Sequence, residues 1–227
     1  MSAGASDPKP PAPEGSLLVA ALITLPGGFL DAFTYVGHGH VFANAISGNV
    51  VLLGVAGAAS QWSQAARHLA PILAYLAGIV IARMLTWPKM VALLQRPALA
   101  CLLLETVFLF GAAWLPANFP DVVLVPGIAF TAALQFSTFA RVGDYTYTSV
   151  VTTGNLRRLA DGTLLALSGP SRPAGLRQAR IFGLLCADFL AGAVLGALGT
   201  SRFGNLALLV PATLLGAAAG VVARSPR

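Results

Sequence analysis

The sequence predicts an all-α polytopic membrane protein. Its expected architecture is six transmembrane helices plus two short re-entrant half-helices, arranged as an inverted 3+3 repeat. Three observations carry this. Of the 227 residues, 56% are hydrophobic and only 10% are charged, against about 25% charged in a soluble domain; the mean hydropathy is +0.77. Six apolar runs are long enough to cross a hydrocarbon core, which takes roughly 20 residues of helix. A polar tripeptide, Ser47-Gly48-Asn49, recurs as Thr153-Gly154-Asn155 at an offset of 106 residues (47 to 153).

Residues 1–16 read as a Pro-rich polar tail, disordered or extended and cytoplasmic. The tail has neither the basic n-region nor the small-residue cleavage site of a secretory signal, so Leu17 opens a true span. The six spans are Leu17–Val36, His68–Leu85, Pro97–Leu115, Val122–Phe139, Ala179–Gly199 and Asn205–Val222. Trp62, Trp87 and Trp114 stand at span ends, where interfacial anchors belong. Two further apolar stretches, Val50–Ala59 and Leu156–Leu167, cover only about 15–18 Å at 1.5 Å per residue. Each follows one of the recurring tripeptides, whose Asn, Ser and Thr side chains suit a helix cap.

Charge decides whether the short stretches cross or return. If both return, twelve of the fourteen Lys and Arg residues lie on one face and only Arg67 and Arg202 on the other; if both cross, that asymmetry is largely lost. The positive-inside rule favours return, with both termini cytoplasmic in a bacterial inner membrane. Arg157, Arg158 and Asp161 in the second stretch would also be costly at mid-membrane. The net charge of +6 then sets topology and does not mark a nucleic-acid partner.

The repeat extends beyond the tripeptide. Phe33 and Phe139 keep the same offset, and Leu76-Ala77-Gly78 recurs as Leu190-Ala191-Gly192. Residues 17–115 form the first repeat and 116–227 the second, each reading span, half-helix, span, span. Three spans per half is odd, so the second half is inverted, a recurring plan for transporters with broken helices near the midplane.

The start of a half-helix presents backbone N–H groups without partners and the positive end of the helix dipole. The substrate-binding candidates are therefore Ser47, Gly48, Asn49, Thr152, Thr153, Gly154 and Asn155, with Gln135 as an amide in a neighbouring span. Asp31, after Pro26-Gly27-Gly28 that should loosen the helix, is the first candidate for proton coupling or gating, followed by Asp188 and Glu105. The competing reading makes these side chains helix caps and interhelical hydrogen bonds. The residue matching Asp31 is Ser137, so the acid is not duplicated. Arg180, two turns before Asp188, is a possible ion partner. His38 and His40 have poor spacing for a metal site and are expected at an extracytoplasmic surface. Cys101 and Cys186 are expected to pack as small apolar groups. Neither a metal nor a cofactor is expected.

The stretch Gly28-Phe29-Leu30-Asp31, followed by Phe42-Ala43-Asn44-Ala45-Ile46-Ser47-Gly48-Asn49, resembles the YoaK family of bacterial integral membrane proteins. Thr148-Ser149-Val150-Val151-Thr152-Thr153-Gly154-Asn155-Leu156 is similar to that family's second signature. The resemblance covers nearly the whole chain after residue 16. It implies a multi-span protein of the bacterial inner membrane and no particular chemistry. The residues themselves favour a small secondary transporter or channel-like permease for a small polar solute, anions included. A non-transport membrane scaffold or accessory subunit is the alternative. An intramembrane enzyme acting on lipid is the weakest reading, because no nucleophile–base pair or metal cluster stands out. Expected partners are the bilayer and the solute. The small-residue stretches around Ala187–Gly199 and Pro211–Gly220 would also allow a homo-oligomer.

Overall fold

The computed structural model describes residues 15–150 and 152–224, and these are almost wholly helical. The α-helices are α1 (Leu17–Gly37), α2 (Ile46–Ala58), α3 (Trp62–Leu85), α4 (Pro88–Leu94), α5 (Pro97–Ala112), α6 (Asp121–Thr138), α7 (Thr153–Leu167), α8 (Arg172–Phe203) and α9 (Leu209–Ala223). Between α6 and α7 lies a hairpin of two-residue strands, β1 (Arg141–Val142) and β2 (Tyr145–Thr146). It turns at Gly143, whose φ of 55° is a left-handed conformation that glycine adopts without a Cβ penalty. The expected tail over 1–16 lies outside the described residues except for Gly15 and Ser16. Ser16 caps α1, its hydroxyl oxygen accepting the Val19 N–H at 3.2 Å.

Among the described residues, four helical stretches are long and apolar enough to cross a membrane: Leu17–Gly37, Trp62–Leu85, Asp121–Thr138 and the continuous run Gly169–Ala223. A fifth appears if α4 and α5, bent by 64° at their break, are taken together. This is an all-α fold with multiple candidate spans. The expected spans at 179–199 and 205–222 are separated by only a 3-10 turn, Gly204–Leu208, which opens at Gly204 with a φ of 53°. α3 begins at Trp62, not His68, and α8 at Arg172, not Ala179. Pro88 and Pro97 open α4 and α5, the first-turn position where a missing N–H costs nothing. Neither α4 nor the hairpin is expected from the sequence.

Each helix has definite neighbours. α1 packs most extensively on α8 and also touches α9; α3 packs on α6; α2 on α3; α7 on α8; α5 on both α6 and α9. The start of α6 meets the end of α1 through Asp121 and His38, 2.7 Å apart. Beyond the other end of α6, Gly143 N–H donates to the carbonyl of Gly15, just before α1, at 2.7 Å. α1 and α6 are therefore antiparallel.

Pro26-Gly27-Gly28 does not break α1, which is one helix from Leu17 to Gly37. The glycines serve contact instead. A Cβ on Gly28 would lie 2.0 Å from the Phe189 carbonyl oxygen, and one on Gly192 would lie 2.1 Å from that of Leu25. α1 and α8 thus touch backbone to backbone, the close approach that small residues give membrane helices. Gly78 plays the same part where α3 meets Phe130 of α6.

Gly192→Ala should therefore lower the melting temperature in detergent, because overpacking costs typically about 1–3 kcal/mol. Gly54→Ala, where an added Cβ meets nothing within 4 Å, should leave the melting temperature unchanged or raise it.

Candidate functional site

Two loops interrupt the bundle, and both are tied down by side chains. In the first, Asn49 clamps Phe42: the Phe42 N–H donates to Asn49 Oδ1 at 3.0 Å, and Asn49 Nδ2 donates to the Phe42 carbonyl at 2.6 Å. The Ala43 N–H donates to Thr34 Oγ1 at 3.1 Å. The N–H groups of Asn44 and Ala45 both donate to Asp31 Oδ1, at 2.7 and 3.2 Å. Asn44 Nδ2 donates to the carbonyl of Gly27 at 3.0 Å. Every backbone donor from Phe42 to Ala45 is thus satisfied by a side chain of α1 or α2. This is how non-helical backbone is made tolerable in apolar surroundings.

The second loop repeats the clamp. The Thr148 N–H donates to Asn155 Oδ1 at 3.3 Å, and Asn155 Nδ2 donates to the Thr148 carbonyl at 2.8 Å. Phe42 and Thr148, like Asn49 and Asn155, are 106 residues apart. This corrects the capping roles expected for Ser47, Asn49, Thr152, Thr153 and Asn155. α2 begins at Ile46 and α7 at Thr153, and neither helix has a side-chain cap. The tripeptides sit within or at the edge of the first turns, and both asparagines reach back seven residues to hold the loop. The second loop has no counterpart of Asp31; Ser137, its equivalent, bonds back to the carbonyl of Ala133 at 2.8 Å.

The loops converge on α1. Gly27 takes the Asn44 amide from the first, and a Cβ there would lie 2.5 Å from the Ser149 carbonyl of the second. Next to this crossing is a cavity of about 490 Å³. Asp31, Tyr35, Ser47, Thr152 and Thr153 are among its lining residues, with Phe42, Val150, Leu156 and Phe189 in walls that are mostly apolar. The starts of α2 and α7 and the Asp31 carboxylate therefore share one space.

The remaining candidates lie elsewhere. Asn49, Asn155, Glu105 and Gln135 are each no more than 1% exposed. Gln135 Nε2 donates to Glu105 Oε2 at 2.9 Å, so these two candidates, from α6 and α5, form one buried pair away from the cavity lining. Gly48 packs on the Phe42 ring. Gly154 and Asn155 border a separate hollow of about 150 Å³ with Thr146, Thr148 and Arg158. Asp188 is half-buried on α8, one Oδ oxygen lacking a hydrogen-bond partner; Arg180 is exposed and does not pair with it. His38 is not at the surface. It is 6% exposed, its ring tilted against that of Phe33, and bonded to Asp121. That pair spans 83 residues, and no local spacing rule reveals it. Among the described residues no three His, Cys, Asp or Glu side chains converge to hold a metal ion.

Asn49→Ala and Asn155→Ala should each strand two backbone groups, at about 1–3 kcal/mol per buried group left unpaired. Thermal denaturation of both variants should show comparable losses, and substitution of the exposed Ser201 should show none.

A family model described as "Protein of unknown function (DUF1275)" matches residues 19–221. The chain is similar to the UPF0700 transmembrane protein YoaK of Bacillus subtilis (strain 168), with 26% identity over 203 residues, covering 86% of this chain and 88% of that protein. No solved structure matches.

Proposed function

The chain belongs to the DUF1275 family of multi-pass membrane proteins, and from that premise we propose that it is a small secondary transporter or channel-like permease, not an enzyme, whose solute occupies the cavity beside Asp31. One observation carries the reading: a single cavity collects the start of α2, the start of α7 and the Asp31 carboxylate. Pockets of a few hundred Å³ with apolar walls and a few convergent polar groups are typical of small-molecule sites.

The six-span inverted repeat is part of the same proposal. Exchanging the halves, α1 with α6, α2 with α7, α3 with α8 and α5 with α9, maps the packing pairs onto one another. α1 on α8 becomes α6 on α3, α2 on α3 becomes α7 on α8, and α1 on α9 becomes α6 on α5. The asparagine clamps and the contacts at Gly78 and Gly192 follow the same exchange. The antiparallel course of α1 and α6 supports inversion. In this arrangement α1, α3, α5, α6, α8 and α9 span, while α2 and α7 enter from opposite leaflets and return. At 13 and 15 residues these two cover about 20–22 Å, short of the hydrocarbon thickness. Arg157 and Asp161 of α7 are exposed side by side, so that helix lies toward a watery mouth of the path.

Asp31 narrows the class of solute. Its carboxylate already occupies the tip of α2, where an anion would otherwise be attracted. A solute offering a cation or hydrogen-bond donors to Asp31, with a compact apolar body against Phe42, Leu156 and Phe189, fits better than an anion. Asp31 couples transport by carrying a proton or a cation in one state and not in the other.

Electrophysiology on proteoliposomes, with a panel of small cations, zwitterions and anions, tests this. Wild type should pass current or tracer for at least one class. Asp31→Asn keeps an oxygen for the Asn44 and Ala45 N–H groups but loses the charge, so it should fold yet lose at least about tenfold in driven flux, the rate change that 1.36 kcal/mol produces. A silent wild type across the panel, or an Asp31→Asn variant with full coupled flux, contradicts the reading.

A further inference from the structure

We propose that the Asp31 cavity opens into the hydrocarbon core and takes from the bilayer a single-chain amphiphile whose head is an ammonium or another N–H-bearing cation. The inference rests on the reading of the cavity as a ligand site. It narrows the ligand to one chemistry and assigns its route of entry.

The route follows from what rims the opening. Tyr35 and Val36 of α1 and Leu156 of α7 line the cavity and are 41, 43 and 51% exposed. Val50, one turn beyond Ser47 on α2, and Leu190 and Val194, next to Phe189 and Ala193 on α8, continue this exposed apolar surface. An opening rimmed by aliphatic side chains on helices of a membrane protein faces acyl chains. Ser47 and Thr153 bring only hydroxyls to it. Arg157 follows Leu156 but does not line the cavity. It is exposed beside Asp161, one turn farther along α7, and its long stem lets the charge snorkel toward water.

The hollow is not a by-product of the repeat. Exchange of the halves carries it to a place between α6 and α3, and there a packed cluster stands instead: Tyr75, Ala129 and Ala133, with Ile46, Ile79 and Phe136 against them. Small residues make the difference. Gly28 and Ala32 stand where the other half has Leu134 and Thr138, and Ala193 stands where it has Ile79. The space so made, about 490 Å³, falls within the roughly 300–1,000 Å³ of sites for drug-sized organic molecules. It is far larger than a bare ion needs, and its mostly apolar walls suit a hydrocarbon chain.

Charge fixes the head. Among the described lining residues Asp31 is the only charged one. Its Oδ1 accepts the N–H groups of Asn44 and Ala45, which holds the carboxylate at the wall. A charge in apolar surroundings needs a partner, and a cationic head set against Asp31 gives each the other. The chain then lies along Phe42, Leu156 and Phe189 and leaves through the mouth. An anionic head meets repulsion, and a neutral one leaves Asp31 without a counter-ion.

The test reads binding without transport. With Trp62, Trp87 and Trp114 replaced by Phe, Phe189→Trp puts one fluorophore on the cavity wall; Phe203→Trp, in a second protein, puts one on the exposed surface of α8. Each protein is placed in nanodiscs of phosphatidylcholine brominated on its acyl chains. The wall tryptophan should be quenched by the bromolipid and little by aqueous iodide. Decylammonium should relieve that quenching at a mole fraction about tenfold below that needed by decyl sulfate or decanol, the preference that one charge-assisted hydrogen bond supplies. Asp31→Asn, which keeps the acceptor for the loop, should erase the preference, and Phe203→Trp should show no relief. Phe42→Trp, also on the wall, repeats the reading should Phe189→Trp fail to fold, and the comparison of heads needs no variant at Asp31. Quenching by iodide in place of bromolipid, equal action of decyl sulfate, or an unchanged preference in Asp31→Asn overturns the proposal. So does relief by phosphatidylethanolamine alone, which would make the occupant a resident lipid, or loss of bromolipid quenching when two chains share a disc, which would make it a second copy. Selective binding of decylammonium without flux of any solute keeps this site and loses the permease; flux of a hydrophilic solute with no selectivity among the amphiphiles does the reverse.

Discussion

A chain that leaves a helix among apolar side chains must find partners for its backbone N–H and C=O groups inside the protein, because neither lipid nor a dry core supplies them. That constraint organises this molecule. It is met by a few polar side chains placed at fixed distances: Asp31 and Thr34 from α1, and Asn49 and Asn155 from the first turns of the short helices. Remove that support and neither loop could hold its shape, and the cavity between them would have no wall.

The second requirement is proximity. The loops meet at Gly27, and α1 lies against α8 with nothing but hydrogen at Gly28, Gly192 and Gly196 between the backbones. α1 can thus present one face to α8 and another to both loops. Asp31 sits one turn beyond Gly27, where its carboxylate serves the first loop and borders the cavity at once. The same charge has a structural duty and is open to a chemical one. Asn at this position separates the two, since it retains the acceptor and loses the charge.

Much of this was legible in the sequence. The low charge content and apolar runs announced a membrane fold. The two tripeptides, at equal spacing, marked both interruptions, and Asp31 stood out as an acid where acids are expensive. Three things were not legible. The direction of the asparagine bonds was misread, because an Asn before an apolar stretch suits a cap as well as a clamp, and only the folded loop shows which backbone it meets. Pro26-Gly27-Gly28 suggested a weak helix, whereas packing against α8 and Ser149 keeps α1 whole. The joins of His38 with Asp121 and of Gln135 with Glu105 bridge 83 and 30 residues, and periodicity says nothing about partners so far apart. Helix α4 and the hairpin were passed over because seven residues and two residues are too short to carry a pattern.

A path through this protein depends on the two interruptions facing one common space. The most direct measurement is intramolecular cross-linking in a cysteine-free background carrying Ser47→Cys and Thr153→Cys, treated in membranes with a short bifunctional thiol reagent. A bridge within one chain, blocked by prior treatment with a small monofunctional reagent, is the result the account predicts. Reaction at each thiol singly with no bridge, or bridges formed only between chains, would mean that the two helix starts do not share a cavity.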